Sequence, residues 1–198
     1  AANVRDWAQV RDLVETAEDV YGGVDVLVNN AGVNQESLTN GDEDLVEDVP
    51  VERWDTIQET NVRGSFLCTK AVVPGMKARG AGELLHVGSS HGLAGRPNRT
   101  PYCASKFGQE GFHQSLALEF ADADAGLRST MLSPPRGGVV SGMTDHRDAG
   151  DMEGLHPTDV MAEPAVKLVA GDGENGGRYQ ANADGETYET LYTIADFA

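Results

Sequence analysis

Tyr102 and Lys106 stand four residues apart in the stretch Pro101-Tyr102-Cys103-Ala104-Ser105-Lys106. Residues at i and i+4 share one face of a helix, and an ammonium one turn from a phenol favours the phenolate. Lowering a tyrosine by about two units from its ordinary value near ~10 takes roughly 2.7 kcal/mol of added stabilisation of the anion. One placed cation and a hydrogen bond from a bound ligand supply effects of that size. Ser89 lies thirteen residues before the tyrosine, and Asn61 stands further back. A phenol poised in this way can give a proton to a carbonyl oxygen, or take one from an alcohol, while a hydride moves at carbon.

The surrounding elements follow from hydrophobic spacing. Residues 6 to 20 carry apolar positions at helical intervals, with Asp6 as N-cap and Gly22-Gly23 as the stop. Val24 to Val28 reads as a short buried strand, and 34 to 49 as a polar, acidic loop. A long helix is expected from Val51 to Arg79, kinked or ended by Pro74. Glu83 to Val87 reads as a strand, Pro101 to Ala121 as a helix with proline suited to its first position, and Gly126 to Leu132 as a strand. After the turn Pro134 to Gly138 come a weakly helical loop over 142–156, a helix from Pro157 to Ala170, and a strand from Arg178 to Ala181 closed by Asp184-Gly185. Strands separated by helices imply parallel pairing and a doubly wound sheet. Ligands in such sheets bind beyond the carboxyl ends of the strands, where Asn29, Ser89 and Ser133 fall.

Four segments together, Leu27-Val28-Asn29-Asn30-Ala31-Gly32, Asn61-Val62-Arg63-Gly64, Gly88-Ser89-Ser90-His91-Gly92 and Tyr102-Cys103-Ala104-Ser105-Lys106, resemble the short-chain dehydrogenases/reductases in order and spacing. The resemblance runs from about residue 3 to about residue 187. It implies an α/β, Rossmann-like, doubly wound parallel sheet and one domain over residues 1–198. It also implies an oxidoreductase that uses NAD or NADP on a secondary alcohol or ketone. On this resemblance Tyr102 is the general acid/base and Ser89 holds the substrate oxygen. Lys106 lowers the phenol and holds the nicotinamide ribose. Asn61 distorts its helix and keeps a water that links the lysine to solvent. Asn29, Ala31 and Gly32 line the adenosine-ribose side, while Asn30 is mainly structural. Ser133, Pro134 and Ser141 take the nicotinamide end, although Pro135 stands where the family has glycine. Ser90, His91 and Arg99 are candidate substrate contacts, since similar segments in 3-hydroxybutyrate dehydrogenases hold a carboxylate, a task that suits arginine.

The family's opening strand and Gly-x-x-x-Gly-x-Gly turn, which cradles pyrophosphate at a helix N-terminus, do not occur in this sequence. The chain opens Ala1-Ala2-Asn3-Val4, with Asn3 where the family has an aspartate that touches adenine. The first βαβαβ part is therefore expected to be lacking, on the order of 60 residues. One reading is a fragment or partial gene; another is a protein that dispenses with its cofactor half. Without that half, strand 24–28 loses a neighbour and becomes an aggregation hazard. The residues that choose between NAD and NADP would lie in the same part.

Composition bounds the rest. With 32 acidic residues against 15 basic and a net charge of −17, nucleic acid and anionic membranes are poor partners. Only Lys70, Lys77, Lys106 and Lys167 are lysines. Few lysines and dispersed acids resemble proteins of salt-loving microbes, in which salt screens self-repulsion. No apolar run reaches the roughly 18 residues of a membrane span. Cys68 and Cys103 form no metal or disulfide pattern and are expected to be reduced in a cytoplasm. His86, His113, His146 and His156 show no metal spacing. Helices 51–79 and 102–121 resemble those through which the family forms homodimers and homotetramers. Two other readings stand beside the dehydrogenase: an inert remnant unable to hold dinucleotide, and a sugar-nucleotide epimerase or dehydratase, which the short segment after Ser133 disfavours.

Overall fold

The computed structural model describes residues 1–39, 44–123, 125–144 and 152–197. A five-stranded sheet of order β1-β2-β3-β4-β5 forms its centre. The strands are β1 (Val26–Asn29), β2 (Gly82–Val87), β3 (Leu127–Ser133), β4 (Arg178–Ala181) and β5 (Tyr188–Tyr192). The first four run parallel and β5 returns antiparallel beside β4. The helices are α1 (Trp7–Tyr21), α2 (Gln35–Thr39), α3 (Val51–Gln58), α4 (Gly64–Arg79), α5 (Thr100–Asp122) and α6 (Ala162–Lys167).

Local chemistry sets the ends of these elements. Asp6 caps α1, its Oδ1 accepting from Ala8 N at 2.9 Å and Gln9 N at 3.2 Å, and Gly22 closes the helix with φ 82°. Successive side chains of β2 point to opposite faces. Leu84 joins Val72, Met76, Leu116, Phe120 and Leu127 under α4 and α5. Leu85 joins Leu132, Leu168, Tyr179 and Ala181 on the side of α6.

The long helix expected over 51–79 is interrupted, and not by its proline. α4 runs through Pro74 to Arg79; the break is a π-helical turn at Glu59–Arg63, centred on Asn61. The expected helix at 157–170 is likewise composite, with a 3-10 turn at Thr158–Met161, then α6, then a π turn at Leu168–Asp172. α2 and a 3-10 turn at Val46–Asp48 lie within the span read as loop. Positions 40–43 of that loop, and 145–151 of the loop expected over 142–156, lie outside the described residues, His146 among them. β5 had no counterpart in the sequence reading. Its five residues, Tyr188 to Tyr192, do not alternate cleanly between apolar and polar, and the turn before it is built by Asp184, whose Oδ1 accepts from Glu186 N and Thr187 N, each at 2.9 Å.

β1 is less buried than expected. Val26 is 40% and Val28 50% exposed, because the strand is a sheet edge whose only ladder among the described residues is with β2. Val26 and Val28 point to the face opposite Leu27, which packs into the core under α4.

Candidate active site

A cavity of about 710 Å³ opens beyond the carboxyl ends of β1, β2 and β3. Asn30, Ala31 and Gly32 follow β1 along its wall, Val87 and Gly88 end β2, and Pro134 and Ser141 come after β3. Tyr102 and Lys106 enter from the first turns of α5, and Leu38, Met143 and Met161 give an apolar rim.

The serine turn is brought to the phenol by a close approach. Ser89 caps the short 3-10 turn Ser90–Gly92, its Oγ accepting from His91 N at 3.2 Å. That turn lies directly on α5: a Cβ at Gly92 would stand 2.9 Å from the Lys106 carbonyl oxygen. Ser89 stands near enough to the Tyr102 phenol to favour its ionised form. The His91 ring meets Tyr102 edge-on at 5.4 Å between centres, and its Nδ1 lies 3.2 Å from Ser89 Oγ.

The electrostatics differ from the expected arrangement. The Lys106 ammonium sits 5.7 Å from the centre of the Tyr102 ring. Its hydrogen bonds go to Val87 O at 3.0 Å and Gln109 Oε1 at 2.8 Å. Burial pushes Tyr102 up to about 12, against the hydrogen bond from Ser89 and the nearby Arg99 guanidinium. Burial also pushes Lys106 down to about 8, with help from Arg178 and against Glu110. Burial thus works against the expected lowering of the phenol.

Asn61 is fully buried. Its Oδ1 accepts from Val33 N at 2.9 Å, and its Nδ2 donates to Val33 O and Ser105 Oγ, each at 2.9 Å. The amide thus ties the segment after β1 to α5. The Asn61 main-chain carbonyl, in the π turn, accepts from Gln109 Nε2 at 2.9 Å and Ser65 Oγ at 2.8 Å.

Several residues lie away from the expected positions. Asn29 is buried and turned inward, its Nδ2 donating to Thr69 Oγ1 at 3.2 Å with His86 Nδ1 at 3.4 Å. Strand alternation gives the cavity wall to the next residue, so Asn30 lines it instead. Ser133 is buried, and its Oγ accepts from Arg178 Nη2 at 2.6 Å. Asn3 lies outside the cavity lining; its Oδ1 accepts from Arg5 N at 3.1 Å. Ser90 is exposed at the head of its turn. Arg99 forms an ion pair with buried Glu36 on α2. Three supporting residues were missed from sequence: Gln109, Glu110 and Arg178. Arg178 is fully buried. Its Nε donates to Glu110 Oε1 at 2.7 Å and its Nη2 to Ser89 O at 3.2 Å, which holds the serine turn from behind. The signal was present as polar residues at i+3 and i+4 from Lys106 and a charge opening an apolar strand. Among the described residues no cluster of metal ligands occurs, both cysteines are free, and no helix is long and apolar enough to cross a membrane.

The short chain dehydrogenase profile matches residues 1–150. The chain belongs to that family. It is 35% identical over 133 residues to D-beta-hydroxybutyrate dehydrogenase of Cupriavidus necator, covering 67% of this chain and 48% of that protein. It is 33% identical over 179 residues to 3-oxoacyl-(acyl-carrier-protein) reductase FabG of Haemophilus influenzae, covering 86% of this chain and 69% of that protein. The chain thus spans about half the length of the hydroxybutyrate dehydrogenases it matches. In fold it is similar to the crystal structure of a gluconate 5-dehydrogenase from Burkholderia cenocepacia, solved with NADP and tartrate. That match has a TM-score of 0.78 at 24% identity and covers 91% of this chain and 72% of that one. Members of the family are oxidoreductases that use NAD or NADP. The Rossmann-like α/β sheet expected from sequence is the fold observed.

Proposed function

We propose that this chain carries the catalytic face of an NAD- or NADP-dependent oxidoreductase that interconverts a secondary alcohol and a ketone. The observation that carries the reading is one shared cavity: Tyr102 and Lys106 line it together past the ends of three parallel strands, with Ser89 near enough to favour the ionised phenol. The nicotinamide cofactor, when bound, supplies the hydride chemistry. The residues present fit its nicotinamide end. Gly32 keeps one wall low, since a Cβ there would meet Asn61 Oδ1 at 3.3 Å and Met143 Cε at 3.2 Å. Ala31, Gly88 and Pro134 add small apolar surface for a flat ring, Lys106 offers a donor to ribose hydroxyls, and Ser141 a hydroxyl to the carboxamide. The sequence holds no glycine-rich turn for the pyrophosphate.

The residues of the chain divide the proton work. A phenol held near 12 is protonated at neutral pH, so Tyr102 enters as the acid. As the ketone is reduced, the Tyr102 hydroxyl proton passes to the substrate oxygen and leaves a phenolate; in the reverse direction the phenolate takes the alcohol's proton. Ser89 donates a hydrogen bond to that oxygen and keeps it beside the phenol. The His91 ring packs edge-on against Tyr102. Relatives named as hydroxybutyrate dehydrogenases raise a hydroxy acid as substrate. The ion pair of Arg99 with Glu36 already places a carboxylate on that guanidinium, which favours a neutral keto ester over a short acid. Exposed Phe66, with Val73 and Phe112 beside it on α4 and α5, supports a homodimer or homotetramer. The surplus of dispersed acids supports a salt-rich cytoplasm.

The test is fluorescence titration with NADH and NADPH, followed by reduction of ethyl acetoacetate and acetoacetate. Saturable binding and turnover are expected, and Y102F should lower turnover by about 10²–10⁴-fold with the fold retained. Saturation by neither nucleotide would make the chain the inert remnant.

A further inference from the structure

A buried ammonium needs acceptors for its hydrogens, and two of those around Lys106 differ in kind. Val87 O, at 3.0 Å, belongs to β2 and is placed by the sheet. Gln109 Oε1, at 2.8 Å, belongs to a side-chain amide that must also be the right way round. Reversed, it would aim N–H donors at a cation. The hydrogen-bond network fixes the orientation. Ser65 Oγ donates to the Asn61 carbonyl at 2.8 Å, so its one hydrogen is committed and it can only accept from its other neighbour. Gln109 Nε2 lies 3.0 Å from that Oγ and 2.9 Å from the same carbonyl, which also only accepts. Both facing atoms demand donors, so the NH₂ group faces the π turn and Oε1 faces Lys106. Gln109 is 1% exposed and Asn61 is fully buried.

We infer that Gln109 is the positioning residue for Lys106: its amide, anchored on the carbonyl of the π turn, presents a fixed acceptor to the ammonium. The Asn61 side chain, bonded to Val33 and Ser105, holds that turn in place. Lys106 is an anchored cation here. The inference rests on the reading of Lys106 as part of the dehydrogenase site, but its geometry is independent of turnover. The titratable and charged groups around Lys106 are Tyr102 and Glu110 on α5, His86 on β2, Arg178 on β4 and His91 in the serine turn.

Only four lysines occur in the chain, so lysine labelled at Cε and Nζ gives a spectrum in which Lys106 can be followed by NMR. In the wild-type protein its ammonium hydrogens should exchange with solvent more slowly than those of Lys70, Lys77 and Lys167. Q109M, of equal length but without the acceptor, should speed that exchange and lower the titration midpoint of Lys106 by about one unit or more. Q109E, which sets a carboxylate against the ammonium, should raise it by about one to three units. A residue that merely fills space would not move the midpoint in opposite directions. Midpoints unchanged in both variants, or moved the same way, would overturn the inference. So would wild-type Lys106 hydrogens exchanging as fast as those of the surface lysines, a result that needs no variant to fold. Opposite shifts in a protein that binds neither NADH nor NADPH would support the positioning role and sink the dehydrogenase reading alone.

Discussion

Gln109 and Glu110 are neighbours on α5, yet they serve two buried networks of opposite character. Gln109 joins a chain with a single charge, running from the Asn61 carbonyl through the amide to the Lys106 ammonium. Glu110 joins a chain of paired charges. Its Oε1 accepts from Arg178 Nε at 2.7 Å and its Oε2 from Tyr192 Oη at 2.6 Å, while Arg178 also donates to Tyr179 O, Ser133 Oγ and Ser89 O. The two meet at Lys106, which Arg178 pushes down and Glu110 pulls up. The paired network is a brace: it fastens β4 and β5 to α5 and holds the serine turn. The single-charge network leaves a cation without a full counter-ion at the cavity wall, where it can act on a ligand.

The comparison breaks most sharply at Arg178. R178M leaves Glu110 buried without its cation, and such losses cost about 3–5 kcal/mol; urea unfolding should show a fall of that size, partly recovered in R178M/E110Q. A loss under about 1 kcal/mol would mean that the brace is ornamental. At the single-charge network, Q109M leaves donors and acceptors unmade, at about 1–3 kcal/mol, and should be the milder change in the same assay. Equal losses would erase the distinction.

A pH-dependent effect comes from the histidines on the protein's other polar seam. His86 and His113, with ring centres 5.8 Å apart, are held neutral by burial, His86 pushed down to about 4 and His113 to about 3. Depressed bases bind fewer protons folded than unfolded. Stability should therefore fall as pH drops from about 6.5 toward 4, at about 1.4 kcal/mol per unit for each such group. Flat urea midpoints across that window would show that the imidazoles reach water. The smallest effect separates inside from outside. Raising potassium chloride from about 0.1 M to about 1 M shortens the screening length from about 10 to about 3 Å. With a net charge of −17, the melting temperature should rise, while the cost of R178M should not change, because its pair is shielded from solvent. A salt-dependent cost would place that pair at the surface.

Much of this could be read from one dimension. Asp6, Gly22 and Pro101 mark helix ends by side-chain chemistry that acts within a few residues, and the alternation of apolar runs implied the parallel strands. The segments around Asn61, Ser89, Tyr102 and Lys106 were visible as spacing. What was not visible depended on neighbours distant in sequence. Asn29 and Asn30 exchange roles because strand pleat, not residue type, decides which faces the cavity. The distortion at Asn61 was implied by the resemblance, but its ties to Val33 and Ser105 across the fold were not, nor was the unbroken passage of α4 through Pro74. β5 escaped notice because its pattern is set by pairing with β4.

The sequence by itself determined the family and the α/β order, because those rest on residue identity and local periodicity. Only the tertiary structure decided how the phenol and ammonium titrate and what holds them. Desolvation is a property of everything packed around a group, and it raises Tyr102 to about 12 where helical spacing alone argued for a fall.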